Sequence, residues 1–216
     1  MSYSTELGLR PTPAMNAKDK RDCSFSLLYA ITSRKMRYTE SLVYSGSRSN
    51  SLLSIDLELE TMNKKDIAAF RQYKRDPIGP YIVVPAEGLG YDVKAIKEIP
   101  RGTIICEYIG EVISKRTAIT TSSDNDSLME LFVTNDADTT LLIRPQINTN
   151  IARFINGVNN SDPEAWKRIN LQSVRLRIEG EPRVLLYARR NIQSGESLIY
   201  DYNAGGKELF PTDGFL

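Results

Sequence analysis

Eight short apolar runs after Pro80 constrain the fold of this chain more than any other feature. Each run is rich in Val, Ile, Leu or Tyr, and turn segments such as Glu87–Gly90 and Gln193–Gly195 separate them. Short strands divided by tight turns favour several small antiparallel sheets over one parallel sheet. We therefore predict a mainly β, α+β fold over residues 81–203. The runs are YIVVP, YDVKAI, TIICEYIGEVI, SLMELFV, TTLLIRP, SVRLRI, RVLLYA and SLIYDY.

The first 80 residues have a different pattern, and we place a boundary near residue 80. Residues 1–22 are polar and interrupted by proline, which predicts a flexible tail. Residues 23–80 are predicted to be mainly helical, because apolar residues recur at helical spacing and strong helix formers surround Ile67 and Phe70. The apolar residues of the first predicted helix, over 23–36, are Phe25, Leu28, Tyr29 and Ile31.

The absence of histidine excludes several kinds of site. Ser-His-Asp and Cys-His mechanisms, histidine general bases and histidine-ligated metals all need that side chain. The two cysteines, Cys23 and Cys106, give neither a disulfide framework nor a zinc site, so we predict no bound metal. No apolar run approaches the ~20 residues that span a bilayer, and the polar amino terminus does not resemble a secretory signal. We therefore expect an intracellular protein without a membrane partner.

The turn Gly88-Leu89-Gly90-Tyr91 lies between two predicted strands. A dinucleotide-binding fingerprint needs a third glycine and a following helix, and this segment has neither. Two interpretations stay open from these residues alone. The segment is either an ordinary hairpin turn or a turn whose glycines let the backbone approach a ligand closely.

Two segments carry the strongest functional signal. Thr149–Asn156 has the sequence TNIARFIN, which continues into an Asn/Gly-rich turn, and Gly195–Asn203 has the sequence GESLIYDYN. Together they resemble the two signature motifs of SET-domain protein lysine methyltransferases, usually written RFINHSCxPN and GEELTYDY. The segment Glu107–Val112, with the sequence EYIGEV, resembles the EYxGE strand of the same family.

The resemblance is to one branch of that family. Gly157 stands where most members have His, and the Ser-Cys pair that usually follows is missing. These features, together with 183–203, resemble the plant trithorax-related histone H3 lysine-27 monomethyltransferases, which have no zinc-binding post-SET module. Residues 37–44 resemble their nSET region, so the similarity spans 25–216. It implies the SET β-clip fold and its pseudoknot, in which the carboxy-terminal strand passes under the loop at 153–160.

The resemblance also implies S-adenosylmethionine as the cofactor. It places the glycine-rich turn against the methionine part, Arg153 and Phe154 beside the amino-acid moiety, and Asn156 and Gly157 at the adenine and ribose. Phe210, in the zinc-free segment 204–216, either folds over the cofactor as a lid or belongs to a frayed tail. The residues implied are Gly88, Leu89, Gly90, Tyr91, Arg153, Phe154, Asn156, Gly157 and Phe210.

The catalytic and substrate-binding residues are implied in the same way. Tyr202 corresponds to the catalytic tyrosine, Tyr200 to a position that is Tyr or Phe in the family, and Tyr108 to a wall of the substrate lysine channel. A tyrosine at 200 can hydrogen-bond the lysine nitrogen and leaves little room for a second methyl group, so we expect monomethylation. The strand that would bind the substrate peptide contains Met129, Leu131 and Phe132, of which Leu131 and Phe132 could equally be core residues.

Acidic residues concentrate in 124–138, where no basic residue occurs. The segment is either a solvated loop beside a strand or an acidic lip that attracts a basic peptide. Its five acids are Asp124, Asp126, Glu130, Asp136 and Asp138.

These features predict an S-adenosylmethionine-dependent histone-lysine N-methyltransferase that acts in the nucleus as a monomer. Its expected substrate is a lysine of the histone H3 tail, lysine 27 by resemblance, on a free tail or a nucleosome. Two alternatives stay open: a methyltransferase of a non-histone protein, and a catalytically silent SET module that binds histone tails. Direct sequence-specific nucleic-acid binding is not expected, because the basic residues form no stripe with interleaved aromatics.

Overall fold

The structure of the chain is a computed structural model that describes residues 4–44, 59–121, 127–158, 162 and 164–202. The predictions for Phe210 and the carboxy-terminal lid lie outside the described residues. The helices are α1 (Ala17–Ser33), α2 (Lys64–Arg75) and α3 (Lys115–Thr121), with 3-10 turns at Ile151–Phe154 and Ala165–Arg168. The strands are β1 (Ser4–Thr5), β2 (Arg37–Tyr38), β3 (Val43–Tyr44), β4 (Thr61–Met62), β5 (Tyr81–Ala86), β6 (Gly90–Ala95), β7 (Ile104–Glu107), β8 (Glu111–Ser114), β9 (Met129–Phe132), β10 (Leu141–Arg144), β11 (Asn148–Thr149), β12 (Asn156–Gly157), β13 (Leu171–Ile178), β14 (Glu181–Ala188) and β15 (Ile199–Tyr200).

The predicted arrangement of small sheets is confirmed. The eight apolar runs form β5 to β10 and β13 to β15. In the described part of the chain, the largest sheet has the order β1-β4-β13-β14-β7, a second has the order β3-β8-β10-β9, and three further sheets pair β11 with β2, β12 with β15 and β5 with β6. Adjacent long strands are antiparallel, as short connections require. No helix in the described ranges is long and apolar enough to cross a membrane.

The amino-terminal region is part of these sheets and not a separate helical unit. Strands β1, β2, β3 and β4 all make parallel pairs, and three of the sheets contain one or two of them. The prediction of a flexible tail over 1–22 is wrong for its described part. Leu9 is buried, and the backbone N–H groups of Leu7 and Leu9 donate to the buried Asp66 carboxylate at 2.8 and 2.7 Å. These hydrogen bonds attach the segment to α2. Local sequence propensity cannot indicate such an attachment, because the two partners are far apart in the chain.

Helix α1 begins earlier than the sequence predicts and buries a different face. Asn16 caps it by accepting a hydrogen bond from the Asp19 N–H at 2.8 Å, so the helix starts at Ala17 and not at Cys23. Phe25 and Tyr29 are 71% and 60% exposed. The residues that pack against the sheets are Cys23, Leu27, Ala30 and Ile31. Of the four predicted apolar positions, only Ile31 is in the core, because burial follows the position of the neighbouring sheet.

Candidate active site

The two motif segments meet directly in the structure. Strand β12 pairs in parallel with β15, with Asn156 opposite Ile199 and Gly157 opposite Tyr200. The side-chain amide of Asn170 holds the same region, because its oxygen accepts the Ile199 N–H at 2.9 Å and its nitrogen donates to the Ser197 carbonyl at 2.7 Å. The chain end that carries Tyr200 and Tyr202 is therefore fixed against the loop that follows Phe154.

Three tyrosines converge beside this pairing. The rings of Tyr200 and Tyr202 lie 4.6 Å apart between centroids, and Tyr108 and Tyr200 belong to one hydrophobic cluster against which Tyr202 packs. Tyr108 and Tyr200 are 1% and 3% exposed, whereas Tyr202 is half-buried. The Tyr202 hydroxyl donates to the Ile155 carbonyl at 2.8 Å, and the Tyr108 hydroxyl donates to the Ser127 carbonyl at 2.6 Å. The predicted convergence of positions 108, 200 and 202 is thus present.

Burial controls the protonation of these phenols. Desolvation raises the pKa of Tyr200, and the neighbouring Tyr108 and Tyr202 raise it further. Desolvation also raises the pKa of Tyr108. Both phenols are therefore neutral at physiological pH and act as hydrogen-bonding groups with apolar rings. A cluster of this kind disfavours an ammonium ion and accepts a neutral amine, because a charged group loses its hydration there.

Gly157 leaves the room that the Tyr202 ring occupies. A Cβ at position 157 would lie 2.8 to 2.9 Å from three atoms of that ring, and essentially no real Cβ makes so short a contact. The ring therefore packs on bare backbone, and a larger residue at 157 would displace it. The family resemblance implied a cofactor contact for Gly157, and the structure adds a steric role towards Tyr202.

We expect Gly157→Ala to displace the Tyr202 ring, because the added methyl group would overlap three of its atoms. The same change should cost about 1–3 kcal/mol of unfolding free energy through overpacking. The matched control is Gly157→Ala in a Tyr202→Ala background, where the ring is absent. Urea unfolding gives the cost of Gly157→Ala in the native background and in the Tyr202→Ala background, and the difference between the two costs is the interaction energy of Gly157 with the ring. An equal cost in the two backgrounds would show that the ring and Gly157 do not interact.

The turn that precedes Tyr91 is a hairpin, as one of the two interpretations predicts. Strands β5 and β6 are antiparallel, and Gly88 and Gly90 have φ values of 77° and 79° that glycine adopts without strain. A Cβ at Gly88 would meet nothing within 4 Å, so this backbone is open to a ligand. The Arg34 guanidinium touches Gly90 and lies 5.3 Å above the Tyr91 ring.

Three residues of the RFIN segment lie between this hairpin and the tyrosines, two of them in contact with the hairpin and one directed towards Tyr108. The Phe154 ring meets the Tyr91 ring edge-on at 5.4 Å, and the Asn156 amide donates to the Tyr91 carbonyl at 3.0 Å. Arg153 turns the other way, and its guanidinium donates to the Ser127 hydroxyl at 2.6 Å beside Tyr108. Most predicted cofactor residues in the described chain thus surround one region, with Arg153 on the side of the tyrosines.

The predicted substrate strand requires a correction. Strand β9 is an outer strand of its sheet, but Leu131 is fully buried and Met129 is 8% exposed. Their side chains are closed to a peptide, because residues two apart share one face of a strand and here that face packs into the core. Phe132 is partly buried and packs against the same core cluster.

The described acids of the predicted acidic lip are already engaged. Glu130 forms an ion pair with Arg175 at 3.1 Å and Asp138 one with Arg116 at 2.5 Å, while the Asp136 carboxylate accepts the Asp138 N–H at 2.9 Å. Asp124 and Asp126 lie outside the described residues. The described part therefore favours the solvated-loop interpretation.

Comparison with known proteins decides the family. The sequence model of the SET domain matches residues 90–203, more than half of the chain. The chain belongs to the SET-domain family. A crystal structure of ATXR5 in complex with histone H3.1 mono-methylated on an arginine superposes on this SET domain with a TM-score of 0.87 and 33% identity, over 96% of this chain and 99% of that one. The predicted SET fold is thereby confirmed.

Two curated relatives from Arabidopsis thaliana show the same likeness. The histone-lysine N-methyltransferase ATXR5 is 38% identical over 199 residues, which cover 88% of this chain and 52% of the relative. The histone-lysine N-methyltransferase ATXR6 is 35% identical over 214 residues, which cover 94% of this chain and 60% of the relative. The resemblance to the plant trithorax-related group is confirmed, and the chain spans little more than half the length of these relatives.

A buried ionic network holds the end of the strand that leads to Tyr108 in this SET domain. Glu107, which directly precedes Tyr108, is fully buried, and its carboxylate accepts from Lys74 at 2.9 Å and from Arg183 at 2.7 Å. Its backbone N–H donates to the Tyr73 hydroxyl at 3.0 Å. Lys74 and Tyr73 belong to α2, so the amino-terminal region of the SET domain holds the strand end that carries Tyr108.

Sequence reasoning missed Ser127. This residue has a φ of 67°, which is unusual outside glycine, and it bonds both Tyr108 and Arg153. A serine before an apolar run gives no signal for such a conformation. Ser33 and Arg34 were also missed. The Ser33 hydroxyl lies 2.6 Å from the Tyr91 hydroxyl, and the Arg34 guanidinium lies above the Tyr91 ring. Ser33 and Arg34 stand at the end of α1, far from the hairpin in sequence.

Proposed function

We propose that the chain is an S-adenosylmethionine-dependent protein lysine methyltransferase that adds one methyl group to a lysine of the histone H3 tail, lysine 27 by resemblance. The convergence of Tyr108, Tyr200 and Tyr202 beside the β12–β15 pairing carries the proposal. Both curated relatives are named histone-lysine N-methyltransferases, which supports the reaction class. Action on chromatin implies that the protein works in the nucleus, and we propose that it does so as a monomer.

The residues around the β5–β6 hairpin fit S-adenosylmethionine. The open backbone at Gly88 admits a ligand without a side chain in the way, and the Tyr91 carbonyl is held by the Asn156 amide. Arg34 places a positive charge at the same turn, where a ligand carboxylate can pair with it. When bound, S-adenosylmethionine supplies an electrophilic methyl group on a positively charged sulfur.

The tyrosines prepare the substrate amine. A free lysine has a pKa near ~10.4 and is almost fully protonated at neutral pH. In a space beside the buried Tyr108 and Tyr200 rings the ammonium form would lose its hydration, so the lysine is expected to react as the neutral nucleophile. The Tyr202 hydroxyl is directed by the Ile155 carbonyl, which fixes one wall of that space. Alignment of the amine is then the main contribution of the protein.

Tyr200 is proposed to limit the product to monomethyl-lysine. Tyr200 is buried beside Tyr108 and Tyr202, where its hydroxyl would fill space that a second methyl group needs. We expect Tyr200→Phe to yield dimethyl-lysine as a product on an H3 peptide, measured by mass spectrometry of the reaction over time. Tyr29→Phe, which removes a hydroxyl from a 60% exposed residue of α1, is the control and should give only monomethyl-lysine. A Tyr200→Phe product that remains strictly monomethylated contradicts this role.

The proposed function is tested by incubating the chain with radiolabelled S-adenosylmethionine and recombinant histones, free and in nucleosomes. Label on H3, mapped to one lysine by mass spectrometry, supports the proposal. Label on other proteins alone would favour a non-histone substrate. Binding of the H3 tail without any transfer would identify a silent SET module instead.

A further inference from the structure

A pocket at the end of the large sheet's strand β14 collects three arginines that the proposed function does not use. It has a volume of about 330 Å³ and is lined by Arg10, Arg101 and Arg189, together with Tyr187, Gly8 and Gly102. The three arginines are exposed, and they come from the amino-terminal segment, the turn before β7 and the end of β14. Only the fold brings them together.

The backbone at each arginine is held in place. The Arg10 N–H donates to the Gly102 carbonyl at 2.8 Å, and the Ile104 N–H donates to the Arg10 carbonyl at 2.9 Å. A Cβ at Gly102 would come within 2.5 Å of the Gly8 carbonyl oxygen, so glycine is needed for this close approach. The Arg189 N–H donates to the Asn170 carbonyl at 2.9 Å. The guanidinium groups therefore extend from a rigid floor.

The pocket has a net positive charge. In the described part of the chain, Arg10, Arg101 and Arg189 form no ion pair, and none of the pocket's lining residues is acidic. Burial raises the pKa of the Tyr187 phenol, and Arg101 and Arg189 act against it, so both guanidiniums lie near this hydroxyl. Two acids lie behind the lining: the buried Asp66 carboxylate accepts the Leu7 N–H at 2.8 Å, and Glu98 accepts from Asn191 at 3.4 Å, while Asn191 accepts the Arg101 N–H.

A second depression adjoins this pocket but adds no positive charge of its own. It has a volume of about 310 Å³, shares Gln172 and Arg189 with the first and contains the 38% exposed Trp166. Its one acid is Asp201, the residue between the two motif tyrosines. The two adjoining depressions form one open track whose positive charge is concentrated at the three arginines, and so open a surface suits an extended polyanion better than a compact ion. A single phosphate would also find no buried donor here, because all three arginines are exposed.

We propose that this track binds the phosphodiester backbone of duplex DNA. Guanidinium groups match phosphate geometry, and a protein with several exposed arginines in one cluster gains affinity for a polyanion by releasing its counterions. Such binding is independent of base sequence, because no base-reading element is involved. It would anchor the SET domain on a nucleosome while the tyrosine cluster takes up the tail. The binding itself does not require the proposed methyl transfer.

The test is fluorescence anisotropy of a labelled blunt duplex over a series of salt concentrations. For the triple variant Arg10→Gln, Arg101→Gln, Arg189→Gln we expect affinity to fall by at least about 10-fold near physiological salt, and the log–log salt slope to become shallower by about 3. The matched control removes three exposed basic residues that form no ion pair in the described chain: Arg21→Gln, Lys64→Gln and Arg75→Gln. It should change affinity by less than about 3-fold.

Equal losses in the two triple variants would overturn the proposal, because they would reflect net charge alone. Unchanged binding in the arginine variant, or no binding by the native chain, would also overturn it. Should the triple variant fail to fold, Arg101→Gln alone should reduce the slope by about 1.

Inorganic phosphate at the same ionic strength as chloride should compete no better than chloride. Strong competition by phosphate would indicate a small-anion site and contradict the DNA assignment. Methylation of free H3 peptide should be unchanged in the arginine variant.

Discussion

Tyr202→Phe should lower kcat for an H3 peptide by about 100-fold to 1000-fold, the range found when a preorganised hydroxyl or amide at a reacting centre is removed. The Tyr202 hydroxyl donates to the Ile155 carbonyl at 2.8 Å, and the ring packs on Gly157 and Tyr200. The phenylalanine ring keeps the packing but loses the directed dipole. Affinity for S-adenosylmethionine, measured by calorimetry, should change by less than about 3-fold, because only the reacting centre is altered.

The control for this variant is Tyr29→Phe, whose hydroxyl lies on the exposed face of α1. It should retain native kcat. If Tyr202→Phe retained more than about half of the native kcat, the hydroxyl would have no part in the reaction, and a role of the ring alone would have to replace it.

Glu107→Gln should reduce the free energy of unfolding by about 3–5 kcal/mol, which is typical when one partner of a buried ion pair is removed. The native carboxylate is fully buried between Lys74 and Arg183, and the amide cannot neutralise either of them. Urea unfolding measures the loss. Because Tyr73 also bonds the Glu107 backbone, the change should weaken the contact between α2 and the strand that carries Tyr108.

Glu164→Gln is the matched control, since Glu164 is an exposed acid that pairs with Lys167 at 2.7 Å. It should cost at most about 1 kcal/mol. A Glu107→Gln cost as small as that of the control would mean that the buried pair contributes no more than a surface pair. The proposed support of Tyr108 by α2 would then be wrong.

The sheets and the meeting of the two motifs could be predicted because they depend on local patterns. Strand runs such as Tyr81–Ala86 and Glu181–Ala188 are bounded by turn residues, and these bounds fix their lengths. The motif segments are long enough to identify the SET family, whose fold specifies that 156–157 and 199–200 pair. Local sequence and global topology agree at these places.

The remaining features depend on contacts that local sequence does not contain. Leu9 is buried because Asp66 accepts hydrogen bonds from its segment, and Phe25 is exposed because the sheet lies on the other side of α1. For Leu131 the sequence left substrate binding and the core as alternatives, because which face of its strand packs inwards depends on the neighbouring β10 and β14. The arginine pocket is of the same kind, since Arg10, Arg101 and Arg189 are neighbours only after folding.

The most direct measurement of the central claim is mass spectrometry of an H3 tail peptide after incubation with the chain and S-adenosylmethionine, carried out in parallel for the native protein, Tyr200→Phe and Tyr202→Phe. The account predicts one methyl group on one lysine for the native chain, up to two for Tyr200→Phe, and almost none for Tyr202→Phe. Equal products from all three proteins, or no methyl group from any of them, would contradict the claim that the buried tyrosine cluster carries out and limits methyl transfer.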